Sequence, residues 1–393
     1  MKIIEIGTGY TSIPAKMGAA TEIVVEELTK AMVKKRLDAQ IVDICDANRK
    51  ETGLPIVEVK VPAKFTGADV QLGLMHKMKR VVYSILLSGK LKKIIKKNSD
   101  NIILHFHNQY NMFFFLILCS KKIKEKVFIA YTNHSYIWHD SWENIESTVK
   151  KRYFQEIYCM KKADIVYVLN EKAKGNIEEH LQISNKKVKL INNGVNTDIY
   201  YSFQEKEKQE AKRRHCLHDK KVFIQVGSVC ERKGQLTALK LMLPFMKNSE
   251  DIIFAYAGGI ISADYQEEII KLAKENKIEQ QVRYMGELRP GKELNEFYNL
   301  AEAMIFPSKA EGFSLVILEA MSSGVPVFIS NNLQFKLAQH CIRFADSTDF
   351  EEKIQNLVLD INQQKELSNK TRNTVLEEYS WDKVTEEYLS CWN

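Results

Sequence analysis

The chain lacks most of the features that would assign it to a special class at once. Its seven cysteines are scattered, odd in number and never arranged as Cys-x-x-Cys, which argues against a disulfide framework and against a thiolate zinc site. No apolar run approaches the roughly 18 residues of a membrane span. The longest, MFFFLILC at 112–119, has only eight residues and reads as a buried strand or helix. The first residues, MKIIEIGTGY, enter a strand pattern directly, with no secretory signal. Internal repeats and low-complexity tracts are absent too. What remains is a composition of 45% hydrophobic and 27% charged residues over 393 positions, suited to two globular domains at a cytoplasmic address.

The net charge of +7 is unevenly spread: residues 1–199 carry +11 and residues 200–393 carry −4. Between Lys60 and Lys97 lie ten basic residues and one acid, Asp69. There Val81, Ile85, Leu86, Leu91, Ile94 and Ile95 alternate with lysines. This pattern fits a solvated helix covering a sheet, or a helix docking on an anionic membrane surface or an anionic acceptor. Nothing in the charge pattern calls for a nucleic-acid partner.

Short apolar runs alternate with helical patterns throughout the second half. VFIQVGS, IIFAYAGG, VRYMG, AMIFPS and PVFIS read as strands, and QLTALKLMLPFM, YQEEIIKLAKEN, ELNEFYNLA and SLVILEAMSS as the helices between them. Such alternation predicts βαβ units and a parallel sheet. KIIEIGTG, AQIVDIC, NIILHFHN, KVFIAYTNH and ADIVYVLNE repeat the theme less regularly. The charged stretch after Tyr200 reads as a linker or surface helix, placing the boundary near 199/200. Ser380 reads as the N-cap of a final helix.

Three loops carry candidate chemistry. GTGYTSIPAKMGAA has Ser12 where a dinucleotide fingerprint needs its third glycine; Gly18, Ala19 and Glu22 lie where a loop turns into a helix. In VGSVCERKGQ, Ser228, Arg232, Lys233 and Gly234 follow a strand and precede a helix, a place where two cations suit a diphosphate. In FPSKAEGFSLVILEAMSSGVPV, Glu311, Gly312, Phe313, Ser314 and Leu315 open a helix whose free N–H groups face an anion. Glu319 lies two turns in, among Leu315, Val316, Leu318, Ala320 and Met321. A carboxylate placed there needs a partner, and ribose hydroxyls would supply one. Taken singly, the first loop also reads as an ordinary strand-to-helix turn, the second as a solvated basic turn, and Glu319 as a helix-surface residue, a reading its apolar flanks argue against. His105 and His107 lack a nearby third ligand in the sequence, so packing and hydrogen bonding account for them better than a metal.

Together these parts resemble the retaining glycosyltransferases of family 4. The two glutamates separated by seven residues match that family's motif. ILHFHN, YTNHS with His134, KKADIVYVLNE, KLINNGVNTDIY, VGSVCERKG, AYAGG, VRYMGEL with Gly286, and YSWDKVTEEYLSCW follow its order along nearly the whole chain. The resemblance implies the GT-B fold: two Rossmann-like parallel-sheet α/β domains facing across a cleft, with a C-terminal helix returning to complete the first (1–199 with 380–393) and leaving 200–379 as the second. It implies that Arg232 and Lys233 grip the diphosphate, Glu319 the ribose and Glu311 the transferred sugar. The Gly312–Leu315 backbone would contact sugar and phosphate, while His134 and the Gly18–Ala19 loop line the cleft. It also implies retention of configuration with no bound metal and no cofactor. Three departures stand out. Ser228 occupies a position where many members have Arg, Asn196 one where Asp is usual, and NNLQFKLAQH replaces a glycine-rich loop.

The expectation is therefore transfer of a hexose or N-acetylhexosamine from a nucleoside diphosphate sugar, preferably of UDP, to a glycan or lipid-linked acceptor, with the basic segment 60–97 on a membrane face. A small soluble acceptor such as an aminocyclitol is the alternative. A GT-B isomerase or phosphorylase and a non-catalytic nucleotide-sugar-binding protein are the rival classes.

Overall fold

A computed structural model describes residues 1–14, 19–65, 74–98, 101–359 and 361–392. The chain divides into two compact units: residues up to Asn193 together with those from Val384 on, and Gly194–Lys383. The charged stretch after Tyr200 places the first junction at 199/200, and the family resemblance places the second at 379/380. The difference has a packing cause. The Val195 N–H donates to the Tyr379 carbonyl at 2.9 Å, and Val195 and Tyr200 are buried in the second unit's core. Gly194 lies against the Trp381 ring of the same unit.

The first unit is a seven-stranded, all-parallel sheet of order β3-β2-β1-β4-β5-β6-β7. Its strands are β1 (Lys2–Ile6), β2 (Asp38–Ile44), β3 (Ile56–Val59), β4 (Ile102–Phe106), β5 (Val127–Thr132), β6 (Ile165–Val168) and β7 (Val188–Leu190). The second unit is a six-stranded parallel sheet of order β10-β9-β8-β11-β12-β13. It comprises β8 (Lys221–Val226), β9 (Ile252–Ala257), β10 (Val282–Tyr284), β11 (Ala303–Phe306), β12 (Val327–Ser330) and β13 (Ile342–Phe344). Buried Val, Ile and Phe dominate the central strands of both sheets, as parallel sheets covered on both faces require. MFFFLILC lies mostly in the helix Gln109–Leu118. All seven cysteines are free thiols.

In each sheet the strand order reverses once, between β1 and β4 in the first and between β8 and β11 in the second. Crevices outside the carboxyl ends of the strands at such a reversal are where open α/β sheets bind ligands. Ser228, Arg232 and Lys233 follow β8, and Glu311 to Ser314 follow β11, on these loops, whereas His134 follows β5 and Gly286 follows β10.

The helix Leu74–Lys97 divides its apolar residues between two faces. Tyr83, Leu87, Leu91 and Ile95, spaced four apart, are fully buried. Met75, Met78, Val81, Ile85 and Leu86 are exposed. The sequence reading takes Val81, Ile85, Leu86, Leu91, Ile94 and Ile95 together, without separating these two faces. Among the described residues no helix is long and apolar enough to cross a membrane.

Candidate functional site

The second unit gathers its candidates around one carboxylate oxygen. β8 ends in Val226, and the chain turns through Gly227 and Ser228 into a single 3-10 turn, Glu231–Lys233. Gly234 then takes a left-handed conformation (φ 78°) and opens the helix Gln235–Asn248; a Cβ there would strike the Pro307 carbonyl. That close approach sets the cations of one loop beside the loop that follows β11. Glu311 Oε1 accepts from Lys233 Nζ at 2.7 Å, Arg232 Nη1 at 3.0 Å and Ser308 Oγ at 2.7 Å. Arg232 also donates to the Ala310 carbonyl at 3.0 Å. Among the described residues Oε2 of Glu311 has no partner. Lys233 is mostly buried, over the Phe306 ring, whereas Arg232 is half exposed.

Behind this cluster the helix Leu315–Ser322 carries Glu319 inward, where it accepts from Tyr298 Oη at 2.9 Å. Burial pushes its carboxyl up to about 7, against the hydrogen bonds from Tyr298 and Tyr200. Ser314, at the start of this helix, is buried, and its Oγ has no hydrogen-bond partner. Such a hydroxyl is costly unless a ligand supplies the partner. Phe313 packs near Phe335, and Leu315 is partly buried at the same end of the helix. Gly286 follows β10 in a left-handed conformation, and its carbonyl accepts from Gly258 N–H at 2.8 Å, tying that loop to the one after β9.

The first unit places His134 elsewhere, just after β5, on the wall of a cavity of about 420 Å³. Thr8, Tyr10, His107, Tyr110, Arg80 and Arg152 line it as well. Arg80 stacks on Tyr10, its guanidinium carbon 4.2 Å from the ring centroid, and lies 5.4 Å from that of Tyr110. Its Nε is buried without a hydrogen-bond partner. Asn108 donates to Tyr10 Oη at 2.8 Å. Glu156 forms part of the wall and accepts from Tyr131 Oη, Ser135 Oγ and Trp138 Nε1 at 2.7, 2.8 and 2.9 Å. Ala19 is buried, and Glu22 accepts from the Thr8 hydroxyl; Gly18 lies outside the described residues.

His105 and His107 do have an acidic neighbour that the sequence spacing hid. Glu5, one strand over on β1, stands 3.0 Å from His105 Nδ1 through Oε1 and 2.7 Å from His107 Nε2 through Oε2. All three are fully or almost fully buried and could bring ligand atoms together. Their other ring nitrogens are engaged too, His105 Nε2 by Thr132 Oγ1 at 2.7 Å and His107 Nδ1 by His134 Nε2 at 3.0 Å. These distances describe a continuous hydrogen-bonded chain in which each group satisfies the next. Burial alone would raise the Glu5 carboxyl, but the two histidines outweigh it and hold it at about 2. Burial and His105 bring His107 down to about 4; burial, with His107 and His105, lowers His134 well below the usual histidine range.

Glu5, Arg80 and Glu156 are the site residues that sequence reasoning missed. Arg80 lay inside the basic run expected at a surface, yet the neighbouring Lys79 is buried and donates to the Tyr10 carbonyl at 3.2 Å. An Arg aligned with inward-facing Tyr83 and Leu87 on helical spacing was the available signal.

Comparison with known proteins agrees with this architecture. Residues 21–199 match Glycosyltransferase Family 4, and residues 206–374 match Glycosyl transferases group 1. The chain belongs to this family of GT-B glycosyltransferases. It is 29% identical over 170 residues to D-inositol 3-phosphate glycosyltransferase of Corynebacterium aurimucosum, a match covering 42% of this chain and 40% of that protein. It is 19% identical to N-acetyl-alpha-D-glucosaminyl L-malate synthase of Bacillus anthracis, over 98% of this chain and 96% of that one. Among solved structures, Anabaena HepE in complex with UDP-glucose superposes with a TM-score of 0.70 at 14% identity, covering 100% of this chain and 99% of that one. The chain spans about half the length of several other curated relatives that it matches.

Proposed function

We propose that this chain is a retaining hexosyltransferase that moves a hexose or N-acetylhexosamine from a nucleoside diphosphate sugar, with UDP as the nucleotide, to a hydroxyl of an anionic acceptor. The observation that carries the donor half is the convergence of Lys233, Arg232 and Ser308 on Glu311 beside the buried Glu319. A diphosphate entering there draws Arg232 and Lys233 from Glu311 and has its developing charge stabilised as it departs. Glu311 is then released to accept sugar hydroxyls, and Glu319 those of the ribose. The Ser314 hydroxyl, buried and unpartnered, completes the anion's surroundings. In this reading the departing phosphate oxygen takes the acceptor's proton on the face where the new bond forms, so configuration is kept. The two side-chain cations supply the positive charge the leaving group requires. The UDP-glucose bound to the similarly folded HepE supports the choice of nucleotide.

For the acceptor, Arg80 and Arg152 beside four tyrosines favour a phosphate or carboxylate over a neutral glycan end. The relatives named for inositol 3-phosphate and L-malate carry those two groups. This moves the preferred acceptor from a glycan or lipid-linked chain toward a small anionic one.

The test is thermal stabilisation by UDP, GDP, ADP and UDP-glucose, wild type beside Glu319→Ala. Mass action gives about 2.7 kcal/mol at a hundred times Kd. One nucleotide should stabilise the wild type and not the variant. If none stabilises the wild type, the donor site is misassigned.

A further inference from the structure

The hydrogen bonds around Glu5 have a direction. With its carboxylate ionised, Glu5 can only accept, so His107 must donate through Nε2–H and His105 through Nδ1–H. A neutral His107 that donates through Nε2 keeps a lone pair on Nδ1. That nitrogen is 3.0 Å from His134 Nε2, so His134 must be the donor there. At the far end Thr132 Oγ1 lies 2.7 Å from His105 Nε2 and 3.5 Å from Tyr388 Oη. Tyr167, Tyr388 and Trp392 wall in His105, with centroids 5.6, 5.3 and 5.8 Å away.

We propose that Glu5 is a positioning residue: acting through His107, it fixes His134 as the Nε2–H tautomer and leaves Nδ1 at the cavity wall as a hydrogen-bond acceptor. His134 has one more ring nitrogen than the chain uses, and among the described residues nothing in the protein engages it. A histidine held this way takes a hydrogen bond from a hydroxyl and cannot offer one. It therefore orients the O–H of an acceptor molecule bound beside Arg80, with the oxygen's own lone pairs left free to attack. That consequence rests on the acceptor reading given above; the tautomer itself does not. The Glu5 carboxylate on β1 thus does what orienting carboxylates do for metal-bound or catalytic imidazoles, at one histidine's remove.

Long-range proton–nitrogen NMR on protein labelled with 15N-histidine reads each tautomer directly, with His134→Gln identifying the His134 signals. At pH 7 the wild type should show His107 and His134 neutral and protonated on Nε2. A His134 that is doubly protonated, or protonated on Nδ1, overturns the proposal. His107→Phe keeps the ring's bulk but removes its acceptor. His134 should then become a mixture of tautomers, and an unchanged His134 spectrum refutes the coupling. Expected tautomers in a protein that transfers no sugar would count against the proposed function and leave the assignment at Glu5 standing.

Discussion

Glu319 offers the sharpest perturbation, because its protonation and its proposed role oppose each other. Buried beside Tyr298, its carboxyl is raised from 4.5 to about 7, a difference worth about 3 kcal/mol between folded and unfolded chain. The sign follows from the direction. The folded protein holds this proton more tightly, so the contribution favours folding below 4.5 and is lost as pH rises through 7. Donor binding runs the other way, since ribose hydroxyls need an ionised carboxylate that accepts twice. If only the ionised form binds, affinity at pH 6 should be about tenfold weaker than its high-pH limit. UDP-glucose suits the assay because its phosphates have no titration in this range, unlike the terminal phosphate of UDP. Calorimetric titration from pH 5.5 to 8.5 should show the weakening below 7 in wild type and a flat profile in Glu319→Gln. Tyr298→Phe removes a hydrogen bond that stabilises the carboxylate and should move the midpoint upward. Equal affinity at pH 6 and 8, or the same slope in Glu319→Gln, would refute the reasoning.

Two further outcomes are expected. Replacing Arg80 by Gln should raise the KM for an anionic acceptor, with L-malate and inositol 3-phosphate as probes, by about tenfold or more, the worth of one charge-assisted hydrogen bond; UDP-glucose affinity should not move, and an unchanged KM would remove the anion site. The exposed Met75, Met78, Val81, Ile85 and Leu86 share a helix with Lys93, Lys96 and Lys97, so binding to phosphatidylserine vesicles at low salt should weaken with Lys93→Glu and Lys96→Glu. Absence of binding by the wild type would end the membrane-face expectation for residues 60–97.

Much of this molecule was legible because parallel strands buried on both faces leave continuous apolar runs, and the loops after them carry the conspicuous charges. Arg232, Lys233, Glu311 and Glu319 stood out because each broke an apolar or small-residue context. The pairing of Arg232 and Lys233 with Glu311 did not, since it depends on Gly234 bringing one loop against Pro307. Glu5 was illegible for a different reason. In KIIEI a single carboxylate looks like an outward-facing strand position, and only the pairing of β1 with β4, in register Glu5 to His105, turns it into the partner of two histidines. The basic run failed in a third way. Charge counting treats Lys79, Arg80 and Lys93 alike, while helical rotation buries the first, aims the second at a cavity and leaves the third in water.

The return of residues from Val384 onward to the first unit sets a schedule for the newborn chain. Tyr388 and Trp392, which wall in His105, leave the ribosome only after the whole of Gly194–Lys383 has been made. At ordinary translation speeds that interval is on the order of tens of seconds. Throughout it, the first sheet can pair its strands while water still reaches the far end of the Glu5 chain. A nascent product stopped before Val384 would hold a nearly complete fold whose histidines are not yet set, and Tyr388 and Trp392 act as the seal.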